Sequence, residues 1–403
     1  MNRKKSNCRS QSILKSTISQ DFSNITVPIS FNEPLSELQR QAEDLEYADL
    51  LHLAAELKDS AKRMVYVAAF ACSKYASASG VYTKPFNPLL EETFEYVNPE
   101  KRYRFLAEQI SHHPPISAVW AESQKWTYYG ESALKTRLHG KSFDIEPEGT
   151  WFLKLRLASG VTEVYTWKKP TTVVTLGVIA GTPTVVRYDP IEIKNWTTGE
   201  VCVMDGWKMT PPYMFGGRVI DAQGKTWYRI CGRWKDKIYA HSTPNSNSLI
   251  MNMKYDTAPQ DSKSDLKEFV VWEANQRSDS MSTNLTLFLI TLNDIPNKLR
   301  VYLPPTDTRL RPDQRAVENR QYEFAAAEKK RLEEKQRETQ RNREAAGVEY
   351  VPRWFRRARC DVTGEEYWAF DGSYWIERAS TSGQLWKGIE DIFSDYNQHD
   401  TTT

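Results

Sequence analysis

Between about residue 93 and residue 290 the chain passes through one short alternating run after another, with no long helical pattern between them. Tyr103 to Glu108, Phe152 to Leu157, Val201 to Met204, Trp227 to Gly232 and Leu285 to Ile290 are such runs. They are rich in β-branched and aromatic residues, and Gly, Asn and Asp turns separate them, so each is expected to be a strand. A doubly wound parallel fold would need helices between the strands. The pattern therefore predicts a large antiparallel sheet, closed or strongly curled. Closure into a barrel would remove exposed edges and leave an interior for side chains or an apolar ligand. A chain of 403 residues makes one large domain or two ordinary ones and buries a substantial core.

The flanks have other textures. Residues 1–12 are polar and basic, and are expected to be flexible. In residues 13–30, Ile13 and then Leu14, Ile18, Phe22 and Ile25 recur at four- and three-residue spacing, a short amphipathic helix ending before Pro28. Such an element can be a lid, a membrane-touching segment or an ordinary docking helix, and periodicity alone ranks docking first. Residues 36–76 predict two helices, opened by a capping box of Ser36 and Gln39. Their apolar faces include Leu38, Leu45, Leu51, Leu53 and Met64. After a turn at Pro304-Pro305, a single helical pattern runs from Gln314 to about Ala346. Residues 328–344 carry seven basic and five acidic side chains, as a solvated, ion-paired helix does. The aromatic stretch 350–378, with Trp354, Phe355, Tyr367, Trp368, Phe370, Tyr374 and Trp375, is expected to pack back on the body as strands or loops.

Composition removes several function classes. The net charge is +2, from 54 basic and 52 acidic residues, so no global basic field points to nucleic acid. Five scattered cysteines form no Cys-x-x-Cys pair and no disulfide framework, which suits a reducing cytosol. No apolar signal core follows the basic start, and no apolar run reaches the ~18 residues of a membrane span. A membrane role would be peripheral.

The densest chemistry is Glu108-Gln109-Ile110-Ser111-His112-His113-Pro114-Pro115. Two of six histidines are adjacent here, and Pro114 pushes His113 toward an extended or turn conformation. Metal binding, proton transfer and anion recognition are the possible uses, beside a plain polar loop. A zinc site needs three or four ligands, and His52, His139, His241 and His399 share no ligand spacing with the pair. There is no Gly-x-Ser-x-Gly elbow, and Ser111 beside His112 is no dyad on an extended chain. No metal, cofactor or enzyme activity is expected. For anion recognition, Lys84-Pro85-Phe86-Asn87-Pro88 offers an ammonium and an amide in a proline frame. Lys329, Glu333 and Arg337 recur every four residues on one helical face, where Glu333 can hold both cations. Nothing in the sequence by itself brings these segments together.

The signature from Glu108 to Pro115 resembles that of the oxysterol-binding protein family of lipid-transfer proteins, in a fungal-like form. Four more stretches resemble family motifs. These are Asn32 to Ser36 with Asp44 to Tyr47, the Lys-Pro-x-Asn-Pro loop at Lys84 to Leu90, Leu303 to Asp313, and Glu328 to Arg337. The resemblance covers residues 13–378. It implies an α+β fold, a nearly complete antiparallel β-barrel around an apolar lipid tunnel, with a lid at 13–30. It further implies a helical layer with the loop at 31–92, the barrel at 93–303, a C-terminal helical and aromatic region at 304–378 and a tail at 379–403. By position, 13–30 becomes the lid, with Ile13, Leu14, Ile18, Phe22 and Ile25 as its apolar face.

The family's shared ligand is phosphatidylinositol 4-phosphate. By motif position, Lys84, Asn87, His112, His113, Lys329 and Arg337 would contact its phosphates, supported by Glu333. The implied function is lipid transfer between membranes by a monomer, peripheral on membranes where the endoplasmic reticulum meets the plasma membrane or Golgi. The alternative is a phosphoinositide-regulated sensor or scaffold. Sterol and phosphatidylserine are both open as second ligands, and Trp120 could narrow the tunnel or face the helices. Basic residues from Arg3 to Lys15 and on the late helix are expected to meet anionic membrane surfaces. No pleckstrin-homology, ankyrin or receptor-binding motif is visible, which leaves a short member or an excised lipid domain.

Overall fold

The computed structural model describes residues 29, 32–77, 84–139, 142–176, 183–206, 214–243, 268–275, 285–381 and 386–394. The segment 1–12, the proposed lid face Ile13, Leu14, Ile18, Phe22 and Ile25, and the basic residues Arg3 to Lys15 lie outside them. The strands in chain order begin with β1 Asn32–Ser36, β2 Lys84–Phe86, β3 Thr93–Asn98, β4 Tyr103–His112, β5 Pro115–Ser123 and β6 Trp126–His139. Then come β7 Ser142–Pro147, β8 Thr150–Arg156, β9 Thr162–Lys168, β10 Thr172–Leu176, β11 Pro183–Tyr188, β12 Ile191–Asn195 and β13 Val201–Asp205. The series ends with β14 Met214–Ile220, β15 Thr226–Arg233, β16 Lys237–Ser242, β17 Glu268–Glu273, β18 Phe355–Arg359 and β19 Glu366–Phe370. The helices are α1 Glu37–Ala42, α2 Asp49–Glu56, α3 Ser60–Ser73, α4 Leu287–Thr291, α5 Asn297–Arg300, α6 Pro312–Glu318, α7 Tyr322–Ala345 and α8 Ser373–Thr381.

Fifteen strands, β3 to β17, form one antiparallel sheet. Its main path runs β3-β4-β5-β6-β8-β9-β12-β13-β14-β15-β16-β17, and β7, β10 and β11 branch from the far half of β6. The long strand β6 makes the branch possible: Trp126–Gly130 pair with β8, while Leu134–His139 pair with β7. The antiparallel sheet and the flanking helices are as expected. Among the described residues the sheet does not close on itself: β3 and β17 are ends of its path. The β3 edge is instead met by a parallel bridge from Thr93 to Asp307, with Thr93 N–H donating to the Thr306 carbonyl at 2.9 Å.

Alternation sends the two faces of the sheet to different partners. Phe94, Phe105, Val119, Tyr128 and Trp151 face the helical layer and pack with Leu38, Leu51, Met64 and Phe70. On the other face, Leu106, Ile110 and Ala118 pack with Trp354, Phe355, Tyr374 and Trp386. The aromatic tail thus packs back on the body, as a hairpin of β18 and β19 followed by α8. Trp120 lies on that outer face, stacked on Tyr129 at 4.7 Å, so it does not narrow the interior.

Four expectations need correction. The helical layer has three helices, not two: α1 stops at Ala42, α2 stops at Glu56 before an extended Leu57, and Asp59 caps α3 by accepting from Lys62 N–H at 3.1 Å. Leu53 is 48% exposed, off the buried stripe of Leu50, Leu51 and Ala54. Leu285 to Ile290 is no strand: Thr286 caps α4, and Leu289 and Leu292, three residues apart, are its buried contacts. The helix expected from Gln314 to Ala346 is two helices. Arg320 takes φ 59° after α6, and Gln321 and Arg320 N–H groups donate to the Ala316 and Val317 carbonyls, closing α6 before α7 begins.

Candidate functional site

The loop after β2 is held from several sides. β2 runs parallel to β1, with Asn32 opposite Lys84, and Asn32 Nδ2 donates to the Lys84 carbonyl at 3.2 Å. Phe86 is fully buried against Ala316, Val317 and Ala325, with Ile29 beside them. The Asn87 side chain is exposed while its carbonyl accepts from Arg311 Nη1 at 2.8 Å. The histidine pair occupies the β4–β5 hairpin. His112 pairs with Pro115, and His113 and Pro114 form the turn through a cis peptide, as the proline predicts for His113. The two imidazoles meet edge to face, 4.7 Å between centroids. On α7, Lys329 Nζ lies 3.1 Å from Glu333 Oε1. Arg337 is exposed and makes no ion pair among the described residues, so Glu333 holds one of the two cations expected of it.

Electrostatics shows that these segments converge. Burial lowers the Lys84 pKa, the Lys329 charge lowers it further, and Glu333 opposes both. His112 is pushed down to about 4, first by burial, then by His113 and Arg311, against the Pro88 carbonyl and Glu333. Its Nδ1 is buried without a hydrogen-bond partner. Lys84, His112, His113, Lys329 and Glu333 therefore share one neighbourhood, with Asn87 in the same loop. Arg337 follows one turn along the same helical face. Cations held close together suit a multiply charged anion, and the unpartnered Nδ1 of His112 can donate to one once it carries a proton.

Beneath this cluster lies a buried ionic knot that the sequence did not single out as such. Arg311 donates to Glu92 Oε2 at 2.9 Å and grips Asp313 in a fork at 2.7 and 3.0 Å. Glu92 also accepts from Leu89 N–H at 2.9 Å and from Thr308 Oγ1 at 2.5 Å. Arg309 and Asp307 form a second buried fork, both distances 2.8 Å. Glu108, the first residue of the histidine signature, points to the opposite side. It accepts from Arg353 and Trp354 N–H at 2.8 and 3.0 Å and pins the aromatic tail to β4. Burial raises its pKa to about 7 against those hydrogen bonds.

The chain matches the Oxysterol-binding protein family model over residues 9–379. It belongs to the oxysterol-binding protein family. It is 43% identical over 392 residues to Oxysterol-binding protein homolog 1 of Saccharomyces cerevisiae, covering 95% of this chain and 33% of that protein. It is 36% identical over 396 residues to human Oxysterol-binding protein-related protein 1, covering 90% and 41%. The chain thus spans about a third of the yeast relative. Among solved structures, the Osh1 ORD domain in complex with cholesterol matches with TM-score 0.86 at 45% identity, over 94% of this chain and 89% of that one. The Osh3 ORD in complex with PI(4)P from Saccharomyces cerevisiae matches with TM-score 0.74 at 27% identity, over 95% of each.

The family supplies lipid-binding and transfer domains, and its motifs fall here on two kinds of residue. Lys84, His112 and Lys329 line the convergent cluster, whereas Glu92, Arg309, Arg311 and Glu108 are buried props. A second polar feature was not legible at all. A cavity of about 230 Å³ lies between α1 and β6–β10, lined among others by Glu37, Gln41, Lys74, Ser132, Trp151 and Lys169. Asp44 holds Lys74 at 2.6 Å and Lys169 at 2.7 Å, and accepts from Tyr128 OH at 2.7 Å. Burial and the Lys74 charge lower the Lys169 pKa. These residues are far apart in sequence, and only the fold collects them. Among the described residues, no three His, Cys, Asp or Glu side chains are placed to hold a metal, and no helix is long and apolar enough to cross a membrane.

Proposed function

We propose that this chain extracts phosphatidylinositol 4-phosphate from one membrane, carries it and releases it at another. The observation that supports this reading is the convergence of β2, the β4–β5 turn and α7 on one cluster of Lys84, His112, His113, Lys329 and Glu333. A phosphomonoester on an inositol ring needs several directed, charge-assisted donors, and Lys84, Asn87, His112, His113, Lys329 and Arg337 supply them. The acyl chains need an apolar interior, since each exposed methylene costs about 0.8 kcal/mol. The segment 13–30 would close over them as a lid. A relative of the same fold was solved with PI(4)P bound.

Sterol is the second cargo we favour over phosphatidylserine. Osh1 ORD structures at 44–45% identity hold cholesterol and ergosterol. The cavity between α1 and β6–β10 is too small for a ring system, but it offers polar partners for one hydroxyl and a few waters of ~30 Å³ each. The place of action follows from the cargo: a cytoplasmic monomer, peripheral on anionic membranes where two organelles lie close.

A liposome-to-liposome assay tests the reading. Labelled phosphatidylinositol 4-phosphate should leave donor vesicles and appear in acceptors, faster with sterol supplied in the acceptors. Tight binding without exchange would favour the sensor reading. Native mass spectrometry of the loaded protein would then show whether sterol, phosphatidylserine or neither accompanies the phosphoinositide.

A further inference from the structure

We propose that Gln336 is a positioning residue that joins the two halves of the headgroup site, a role that rests on the headgroup reading above. One half is Lys84 at the start of β2 and Asn87 on the loop that follows it. The other, Lys329 and Arg337, rides on α7, some 246 residues along the chain from the loop contact described next. Gln336 Oε1 accepts from Leu90 N–H at 2.9 Å and so ties helix to loop directly.

The neighbouring N–H groups go elsewhere. Leu89 N–H donates to Glu92 Oε2 at 2.9 Å, Glu91 to the Gln109 carbonyl at 3.0 Å, Glu92 to the Leu89 carbonyl at 3.0 Å and Thr93 to the Thr306 carbonyl at 2.9 Å. Of these consecutive N–H groups, Leu90 is the one whose acceptor sits on α7. The contact is reinforced next door, where Leu332, fully buried, packs on Leu89. Beyond it, Arg343 pairs with Glu91.

Position on the helix explains the residue type. Lys329, Leu332, Glu333 and Gln336 fall at i, i+3, i+4 and i+7, one face of α7. That face meets the loop through Leu332 and Gln336 and presents Lys329 to the anion. An acceptor is needed there to satisfy Leu90 N–H. A carboxylate would accept equally well but would bring negative charge beside the phosphate. A neutral amide accepts without that repulsion.

The test uses Gln336→Leu, which keeps bulk and removes the acceptor, with soluble dioctanoyl phosphatidylinositol 4-phosphate as probe. Losing one hydrogen bond that orders the site should weaken binding about three- to tenfold, with the unfolding midpoint nearly unchanged. A double-mutant cycle with Asn87→Ala separates positioning from general support. If Gln336 acts through the loop, Gln336→Leu costs less on the Asn87→Ala background than on the native one. Additive effects, or unchanged affinity in Gln336→Leu, overturn the role. A large fall in the unfolding midpoint also overturns it, because the residue would then be structural. His112→Ala is the control for the reading beneath: if it too leaves affinity unchanged, the headgroup site itself fails.

Discussion

The proposed headgroup cluster and the ionic knot beneath it are both built from charged side chains, yet they treat charge in opposite ways. In the knot, Arg311 is 1% exposed, and its guanidinium is divided among Glu92, Asp313 and the Asn87 carbonyl. In the cluster, Lys84 and Lys329 lie close enough to lower the Lys84 pKa, and the two histidines crowd each other. Closely spaced cations that repel one another do not stabilise a fold. They gain when an anion arrives. The contrast separates residues that hold the site's shape from residues that serve its ligand, although both lie in the family's motifs.

The sharpest way to break the comparison is to cut the knot. Glu92→Ala leaves the buried Arg311 with only Asp313 and the Asn87 carbonyl as partners and frees Leu89 N–H and Thr308. A buried ion pair broken on one side costs about 3–5 kcal/mol. Chemical denaturation should show a loss of that size, with phosphoinositide binding lost along with the fold. A change under ~1 kcal/mol would mean that the knot is not what holds the loop.

The matching change in the cluster should act on the ligand alone. Replacing His112 and His113 by Ala together, or Lys84 by Ala, removes charge-assisted contacts worth about 1.5–3 kcal/mol each, or roughly ten- to a hundredfold in affinity. The unfolding midpoint should hold. Stability falling with affinity would place these residues with Arg311, and the distinction drawn above would collapse.

Salt gives a smaller contrast. Raising ionic strength from about 0.05 to 0.5 M shortens the screening length well below 10 Å. Affinity of the soluble headgroup probe should fall several-fold, since Asn87, His113 and Arg337 meet solvent. The stability gap between the native protein and Glu92→Ala should barely move, because the knot is closed to water.

What the sequence disclosed follows the same division. The antiparallel sheet was legible because alternation and turn residues repeat over nearly 200 positions. The capping box at Ser36 and Gln39 is present, with Gln39 N–H and Ser36 Oγ at 3.4 Å and the reciprocal bond at 2.9 Å. The α4 helix was hidden because Leu285 to Leu292 alternates like a strand, and only burial of Leu289 and Leu292 decides between the two periods. The break before α7 was hidden because Arg320, not glycine, takes the left-handed position that closes α6. The convergence of Lys84, His112 and Lys329 was invisible to spacing and came only with the family resemblance. Which residues of one motif are buried props and which are left for the proposed ligand is decided by contacts between distant segments. Gln109 in the histidine signature, for example, accepts from the Ser117 hydroxyl at 2.5 Å inside the sheet.

The smallest effect is the most discriminating, because two groups on β4 titrate in opposite senses. The His112 pKa is depressed to about 4, so its contribution to stability is present above the ordinary value of 6.5 and fades as pH falls through 4. The Glu108 pKa is raised to about 7, so its contribution is present below 4.5 and fades as pH rises through 7. A stability profile sums the two and identifies neither. Binding separates them, since Glu108 faces the aromatic tail and His112 the proposed anion site. A phosphate dianion favours protonated His112, so loading takes up a proton. Affinity should therefore rise as pH falls from about 8 toward 6.5. It should then level or fall as the phosphate itself gains a proton near pH 6. His112→Gln, which keeps an amide donor but cannot titrate, should flatten the upper part of that profile, while Glu108→Gln should leave it in place. Isothermal titration in buffers of different ionisation enthalpy reads the proton uptake directly. Zero uptake at pH 7 in the native protein would mean that His112 stays neutral against the phosphate and that the lysines carry the charge alone.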